Sequence, residues 1–289
     1  MLNSKKTLTV LLTALLFSTV SFSQWLKPKG KGYYKISAWY LNTNQHYTDS
    51  GDIDPNVTRG YFNLNFFGDY GISDNLDIIA YVPFFSRTHR NDVLSGTTGK
   101  VIAKGEVFNS IGDIDIGIEL KFLKTRKLAL SGGIFLGLPT GNSSGGSDKS
   151  FQTGDGEFNQ LVRVNFGIPF SISEVPFYSK AYLGFNNRTK NYSDEFRLGL
   201  ETGLNILNNK VWLIGRSDII KSLKNGSLNA QNNQGNIFAN NIEYVSLGGE
   251  IAYYISKKFG ISFYYAGALS GRIIAANPSY SLGVFLDIK

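Results

Sequence analysis

The stretch Ile111 to Gly141 reads IGDIDIGIELKFLKTRKLALSGGIFLGLPTG, and after a Gly/Ser-rich gap Gly156 to Gly167 reads GEFNQLVRVNFG. Ile114, Ile116, Ile118, Leu120 and Phe122 take every second position, with Asp113, Asp115, Gly117, Glu119 and Lys121 in the alternate ones. A period of two held for about ten residues is a strand, because successive side chains of a strand point to opposite faces. After the tight link Lys124-Thr125-Arg126 the alternation resumes, with Leu128, Leu130, Ile134, Leu136 and Leu138 set against Lys127, Ala129, Ser131, Gly133 and Phe135. It resumes again in Phe158, Val162, Val164 and Phe166 against Glu157, Asn159, Arg163 and Asn165. Strands of a soluble sandwich are usually about five or six residues long. Longer strands with one wholly apolar face, joined by alternating tight turns and long loops, predict an all-β, transmembrane, antiparallel up-and-down β-barrel.

The N-terminal residues agree. Lys5 and Lys6, the apolar run Thr7 to Val20, and Ser21-Phe22-Ser23 before Gln24 read as a secretory signal peptide over residues 1–23. Residues 24–289 then form one domain, with no linker or shift in composition. The early apolar run is short for a membrane helix, and no later stretch approaches the roughly eighteen continuous apolar residues one needs. Any span is therefore made of strands, whose backbone groups pair by closure. The chain has no Cys, which removes disulfide, thiolate and Cys-metal chemistry. Its mean hydropathy of −0.10 is that of a barrel whose two faces cancel. The formal charge of +7 falls to about +5 without the signal lysines, with no basic run, so nucleic acid is not an expected partner. At most it implies a mildly cationic lumen or rim.

Read in order, the pattern gives about twelve strands: 32–43, 59–71, 76–88, the three of the opening stretch, 176–187, 193–207, 210–223, 240–255, 258–271 and 279–289. Ile72 to Asn75, Ile168 to Val175, the pair Asn208-Asn209 and Ser256-Lys257 are the tight connections beside Lys124–Arg126. An even count, both ends on one side, and longer loops opposite short turns fit a bacterial outer-membrane barrel. Tyr33, Tyr40, Phe84, Tyr253 and Phe259 are candidates for its interfacial aromatic girdles.

The inward positions carry Asp113, Asp115, Glu119, Lys121, Arg163, Lys180, Glu195, Arg197, Glu201, Arg216, Asp218 and Glu250 as lumen-lining candidates, with Asp69, Asp77, Glu157, Lys35 and Arg272 beside them. Such charges need water or partners. They either tune selectivity of a polar conduit or brace a narrow barrel with ion pairs, and twelve strands lie between filled eight-stranded barrels and open sixteen-stranded ones. His46 and His89 are the only histidines. Ser86 lies three residues from His89, on the opposite face of a strand, so a nucleophile–base pair is unsupported. Asp49, Asp52 and Asp54 match no calcium loop. No catalytic residue, metal or cofactor is expected.

Ile111-Gly112-Asp113-Ile114, Leu138-Pro139-Thr140-Gly141 and Thr153-Gly154-Asp155-Gly156, in that order, resemble the outer-membrane family associated with the meta-cleavage pathway of phenol degradation. The stretch that carries the three motifs, Ile111 to Gly156, spans about a sixth of the chain. The resemblance implies a porin-like barrel that admits small, often aromatic or hydrophobic, compounds. Each motif also has a plain structural reading, Pro139 for instance suiting the end of a strand. The expected function is passive uptake of small solutes through the outer membrane of a Gram-negative cell. The expected partners are lipid, lipopolysaccharide, the barrel-assembly machinery and the solute. A non-conducting structural or surface-interaction barrel is the alternative, and a lipid-modifying enzyme using His46 or His89 a third reading.

Overall fold

The computed structural model describes residues 27–55, 59–125, 127–228 and 235–289. The signal-peptide reading of 1–23 and part of the turn at Arg126 lie outside them. Twelve long strands make the wall: β1 Gly32–Thr43, β2 Arg59–Ser73, β3 Leu76–Arg90, β4 Ile114–Lys124, β5 Ala129–Leu138 and β6 Asn159–Ile172. The second half is β7 Val175–Arg188, β8 Glu195–Ile206, β9 Val211–Ser222, β10 Glu243–Tyr254, β11 Phe259–Arg272 and β12 Ser279–Ile288. Each pairs antiparallel with its sequence neighbour, and β1 also pairs with β12, from Gly32 opposite Ile288 to Leu41 opposite Ser279. The sheet is therefore a closed up-and-down barrel without a free edge.

The usual distribution of side chains is inverted. Leu183, Leu282 and Leu269 are more than 60% exposed on the outer face, whereas Asp77, Glu119, Lys121 and Glu250 are buried inside. Among the described residues two small apolar clusters form, one around Leu41 and Tyr61, the other around Ile242 and Ile273. An outer surface of this kind is stable only against an apolar medium.

Several expectations need correction. β6 continues to Ile172 and β7 starts at Val175, so Ile168–Val175 is not a broad turn. The reversal is made by Ser173 and Glu174 alone, both at positive φ (47° and 68°), the twist that matches a two-residue hairpin. Conversely, Asn208-Asn209 sits within a four-residue reversal, Leu207–Lys210, with three successive positive φ values. Ile111-Gly112-Asp113 does not open β4. The preceding segment Glu106–Ser110 pairs with the end of β3 in the register of the lower β3–β4 ladder, and the three residues between bridge an interruption. Pro83 causes it: lacking an N–H, it sits in a bulge where Pro83 and Phe84 stand against Asn65 of β2. Tyr33 is an inward residue rather than a girdle one, packed between Phe67 and Phe285. Tyr40, Phe84, Tyr253 and Phe259 are exposed on the outside.

Candidate functional site

The lumen is built by strand register. Lys180, Glu201 and Arg216 are direct cross-strand neighbours on β7, β8 and β9. They form a ladder: Lys180 Nζ lies 3.0 Å from Glu201 Oε1, and Arg216 Nε 2.6 Å from Glu201 Oε2. Arg216 also pairs with Glu250, which takes Lys35 at 2.6 Å, and the Tyr178 hydroxyl donates to Glu201. On the other wall Gly133 of β5 stands between Glu119 and Arg163 in register. With no side chain there, Arg163 reaches across to Glu119 at 3.2 Å and stacks on Phe135, 3.9 Å from the ring centre. Two further glycines seat aromatic rings flat on the wall. A Cβ at Gly117 would lie 2.1 Å from Phe135, and one at Gly199 1.9 Å from Tyr182.

At the tight-turn end the lumen has a floor. Lys121 and Asp77 form a pair at 2.9 Å with side chains 2% and 1% exposed. The segment entering β1 completes it. The Lys27 amide donates to Asp77, the Lys27 carbonyl accepts from the Lys121 ammonium, and Lys27 Nζ lies 3.4 Å from Asp287, which also accepts from Tyr254. Removing one partner of so buried a pair costs roughly 3–5 kcal/mol, because the other charge is stranded.

At the long-loop end the three motifs singled out in the sequence, spread over more than forty residues, form one knot. Asp113 accepts from the amides of Gly141 and Asp155, each at 2.8 Å. Thr140 donates to the Gly112 carbonyl and accepts from the Ile114 amide, while Thr153 donates to the Ile111 carbonyl and accepts from the Asn142 amide. Gly154 packs so closely that a Cβ would fall 2.2 Å from the Asp113 carboxylate. Burial pushes the Asp113 carboxyl up to about 6, with the Asp155 carboxylate adding to the rise, against the pull of the two amides. Next to the knot Arg188 pairs with Asp155 (2.9 Å), Glu157 (2.6 Å) and Glu195 (2.7 Å), and its guanidinium lies over Tyr192. Inward-folded loop residues make a roof: Phe151, fully buried between Arg59 and Arg90, and Asn236, bonded to Tyr61 and Gln152.

Between the strand walls lies a chamber of about 910 Å³. Of the sequence-predicted residues, Asp115, Glu119, Arg163, Lys180 and Arg197 border it. So do Glu201, Arg216, Asp218 and, from the knot, Asp113. Lys121 belongs to the floor, Glu250 to the ladder below the chamber, and Glu195 to the Arg188 cluster at the mouth. Arg272 holds Asp49 at the rim and Glu157 precedes β6, so neither lines the wall. Sequence reasoning missed the aromatic lining of Trp39, Phe67, Tyr81, Tyr182 and Phe238. The first four were in the inward phase and findable; Phe238 arrives from a loop, which no periodicity signals.

His46 is buried with neither ring nitrogen hydrogen-bonded. His89 borders a surface groove with Tyr40 and Phe62, whereas Ser86 borders the chamber. Among the described residues no group of three His, Asp or Glu gathers as a metal site.

No family model matches the chain, and no curated protein matches its sequence. Solved structures match the fold. An outer-membrane channel from Pseudomonas putida F1 superposes with a TM-score of 0.58 at 12% identity, over 92% of this chain and 99% of that one. The NanC porin follows with a TM-score of 0.50 at 8% identity, over 89% and 99%. The fold is that of outer-membrane barrels.

Proposed function

We propose that the chain is an outer-membrane channel through which small solutes pass passively, exported by a signal peptide over residues 1–23. Its apolar outer face sits in lipid and lipopolysaccharide after insertion by the barrel-assembly machinery, with the tight turns periplasmic and the long loops outside. The observation that carries this reading is the chamber. A space of about 910 Å³ lies on the barrel axis, large enough for a small organic molecule. Trp39, Phe67, Tyr81 and Phe135 offer ring faces beside the polar groups, which supports a solute with an aromatic or apolar body. The phenol-degradation resemblance points the same way. The porin-like fold of the structural neighbours is consistent with transport.

A second reading keeps the lumen shut. The buried floor of Lys121, Asp77 and Lys27 favours a barrel that is braced rather than open. Single-channel conductance of the refolded, heat-modifiable protein in planar bilayers separates the two. Stable open steps support the channel. A correctly folded barrel that never conducts, and liposomes that never swell with small solutes, would retire it in favour of the closed, structural role.

A further inference from the structure

The charges inside the barrel do not balance, and the net surplus is negative. Every cation bordering the chamber already has a Glu partner: Arg163 has Glu119, Lys180 has Glu201, Arg197 has Glu195, and Arg216 has both Glu201 and Glu250. Taken as clusters these pairings nearly cancel. The ladder of Lys35, Lys180 and Arg216 with Glu201 and Glu250 has one positive charge over. The cluster of Arg188 and Arg197 with Asp155, Glu157 and Glu195 has one negative charge over. Four other carboxylates border the chamber, Asp69, Asp113, Asp115 and Asp218, and among the described residues none is in a salt bridge. Asp113 is answered by amides and Asp218 by the Tyr182 hydroxyl at 3.1 Å. Among the described residues Asp115 is exposed to the lumen with no hydrogen-bond partner from the protein, and Asp69 has a buried Oδ1 without a hydrogen-bond partner.

The two least satisfied carboxylates share one wall. Register sets Asp115 of β4 beside Tyr81 of β3, which stands beside Phe67 of β2, and Asp69 is the next inward residue along β2. The wall is therefore negative and interleaved with ring faces, a surface that attracts positive charge twice over. This is opposite in sign to the chain as a whole, whose formal charge is +7.

Resting on the channel reading above, we infer that the lumen selects for cations, admitting small protonated amines ahead of carboxylates of the same size, with Asp69 and Asp115 as the specificity-determining residues. A solute cation entering the chamber meets carboxylates that stand in no ion pair, whereas an anion meets guanidinium and ammonium groups already paired with Glu. Focusing in a low-dielectric lumen of one sign raises local counter-ion concentration by about tenfold or more, and the effect is screened as the Debye length falls from about 10 Å at 0.1 M salt to about 3 Å at 1 M.

Reversal potentials across a KCl gradient test this on the full barrel, with wild type, Asp69→Asn, Asp115→Asn, the double variant, and Glu174→Gln in an exposed turn as control. All are first checked for heat-modifiable folding. The expected cation-to-anion permeability ratio is roughly ten at 0.1 M and falls toward one at 1 M. It drops at least threefold in the double variant and is unchanged in the control. Swelling of liposomes is expected to be faster with a primary-amine hydrochloride than with the sodium salt of a carboxylate of equal size. An open channel without cation preference, or one whose preference survives the double substitution, overturns the inference and leaves the channel reading standing. A folded barrel that conducts nothing removes both.

Discussion

Asp113 is where one side chain holds three distant segments together, so its removal is the sharpest test of how the long-loop end is built. In Asp113→Ala the amides of Gly141 and Asp155, both 2.8 Å from the carboxylate, lose their acceptor. A hydrogen bond to a charged acceptor is worth about 1.5–3 kcal/mol, and water at the mouth recovers part, so a net loss of about 2–3 kcal/mol is expected for the loop. That corresponds to roughly 30- to 150-fold more time in the undocked state. The readout is limited proteolysis of the 140–158 loop, whose cleavage rate follows the open population when reclosing is fast. Asp113→Asn keeps an acceptor for only one of the two amides and turns its NH2 toward the other, so it is expected to recover part of the loss. The two variants also separate through pH. The folded-state carboxyl titrates at about 6, above its unfolded value, so the folded loop binds the proton more tightly. The proton-linked increment to its contribution, over and above the hydrogen bonds to the carboxylate, is therefore fully present below about pH 4 and is lost as pH rises through about 6. Wild type is expected to protect the loop better at pH 5 than at pH 7.5, and Asp113→Asn to show no such dependence. Unchanged protection in Asp113→Ala would refute the knot as the element that docks this loop, and a pH profile that persists in Asp113→Asn would place the titrating group elsewhere.

Two other perturbations follow from the same geometry. Arg188→Met removes the guanidinium shared by Asp155, Glu157 and Glu195, leaving Asp155 and Glu157 without a cation and Glu195 with Arg197 alone; a loss of roughly 3–5 kcal/mol is expected, read as a lower temperature for the shift of the heat-modifiable band on gels. Arg197→Met, which frees only one edge of Glu195, should shift that temperature much less. Gly199→Val places side-chain atoms where the Tyr182 ring lies, so the ring must leave the wall and lose Asp218. A smaller unitary conductance with retained folding is the expected result, and an unchanged conductance would show that Tyr182 does not border the conducting path.

Much of the barrel was readable from the chain because a period of two is a local property. Ile114 to Phe122 announces a strand and its apolar face without reference to any partner, and in a closed barrel every strand meets the same two environments. That is why the alternation predicted twelve strands, their order and the inward phase of the charged residues. The sequence failed where neighbours decide. Pro83 interrupts the β3–β4 ladder because it has no N–H to give β4, although its carbonyl still accepts from Gly112, while on the β2 side it stands in a bulge against Asn65, a fact of pairing rather than of local pattern. Ser173-Glu174 reverses the chain with neither Gly nor Asn, since the flanking ladder imposes the twist on whatever residues are there. The chemistry of the lumen was the least legible part. Periodicity said that Glu119, Arg163, Glu201 and Arg216 face inward. It could not say that Gly133 lets Arg163 cross to Glu119, that Lys27 closes the floor, or that Asp69 and Asp115 are left without cations. An alternating pattern determines which face a side chain is on. Only register and closure decide which charges meet, and the charges that do not meet are what a solute in the lumen encounters.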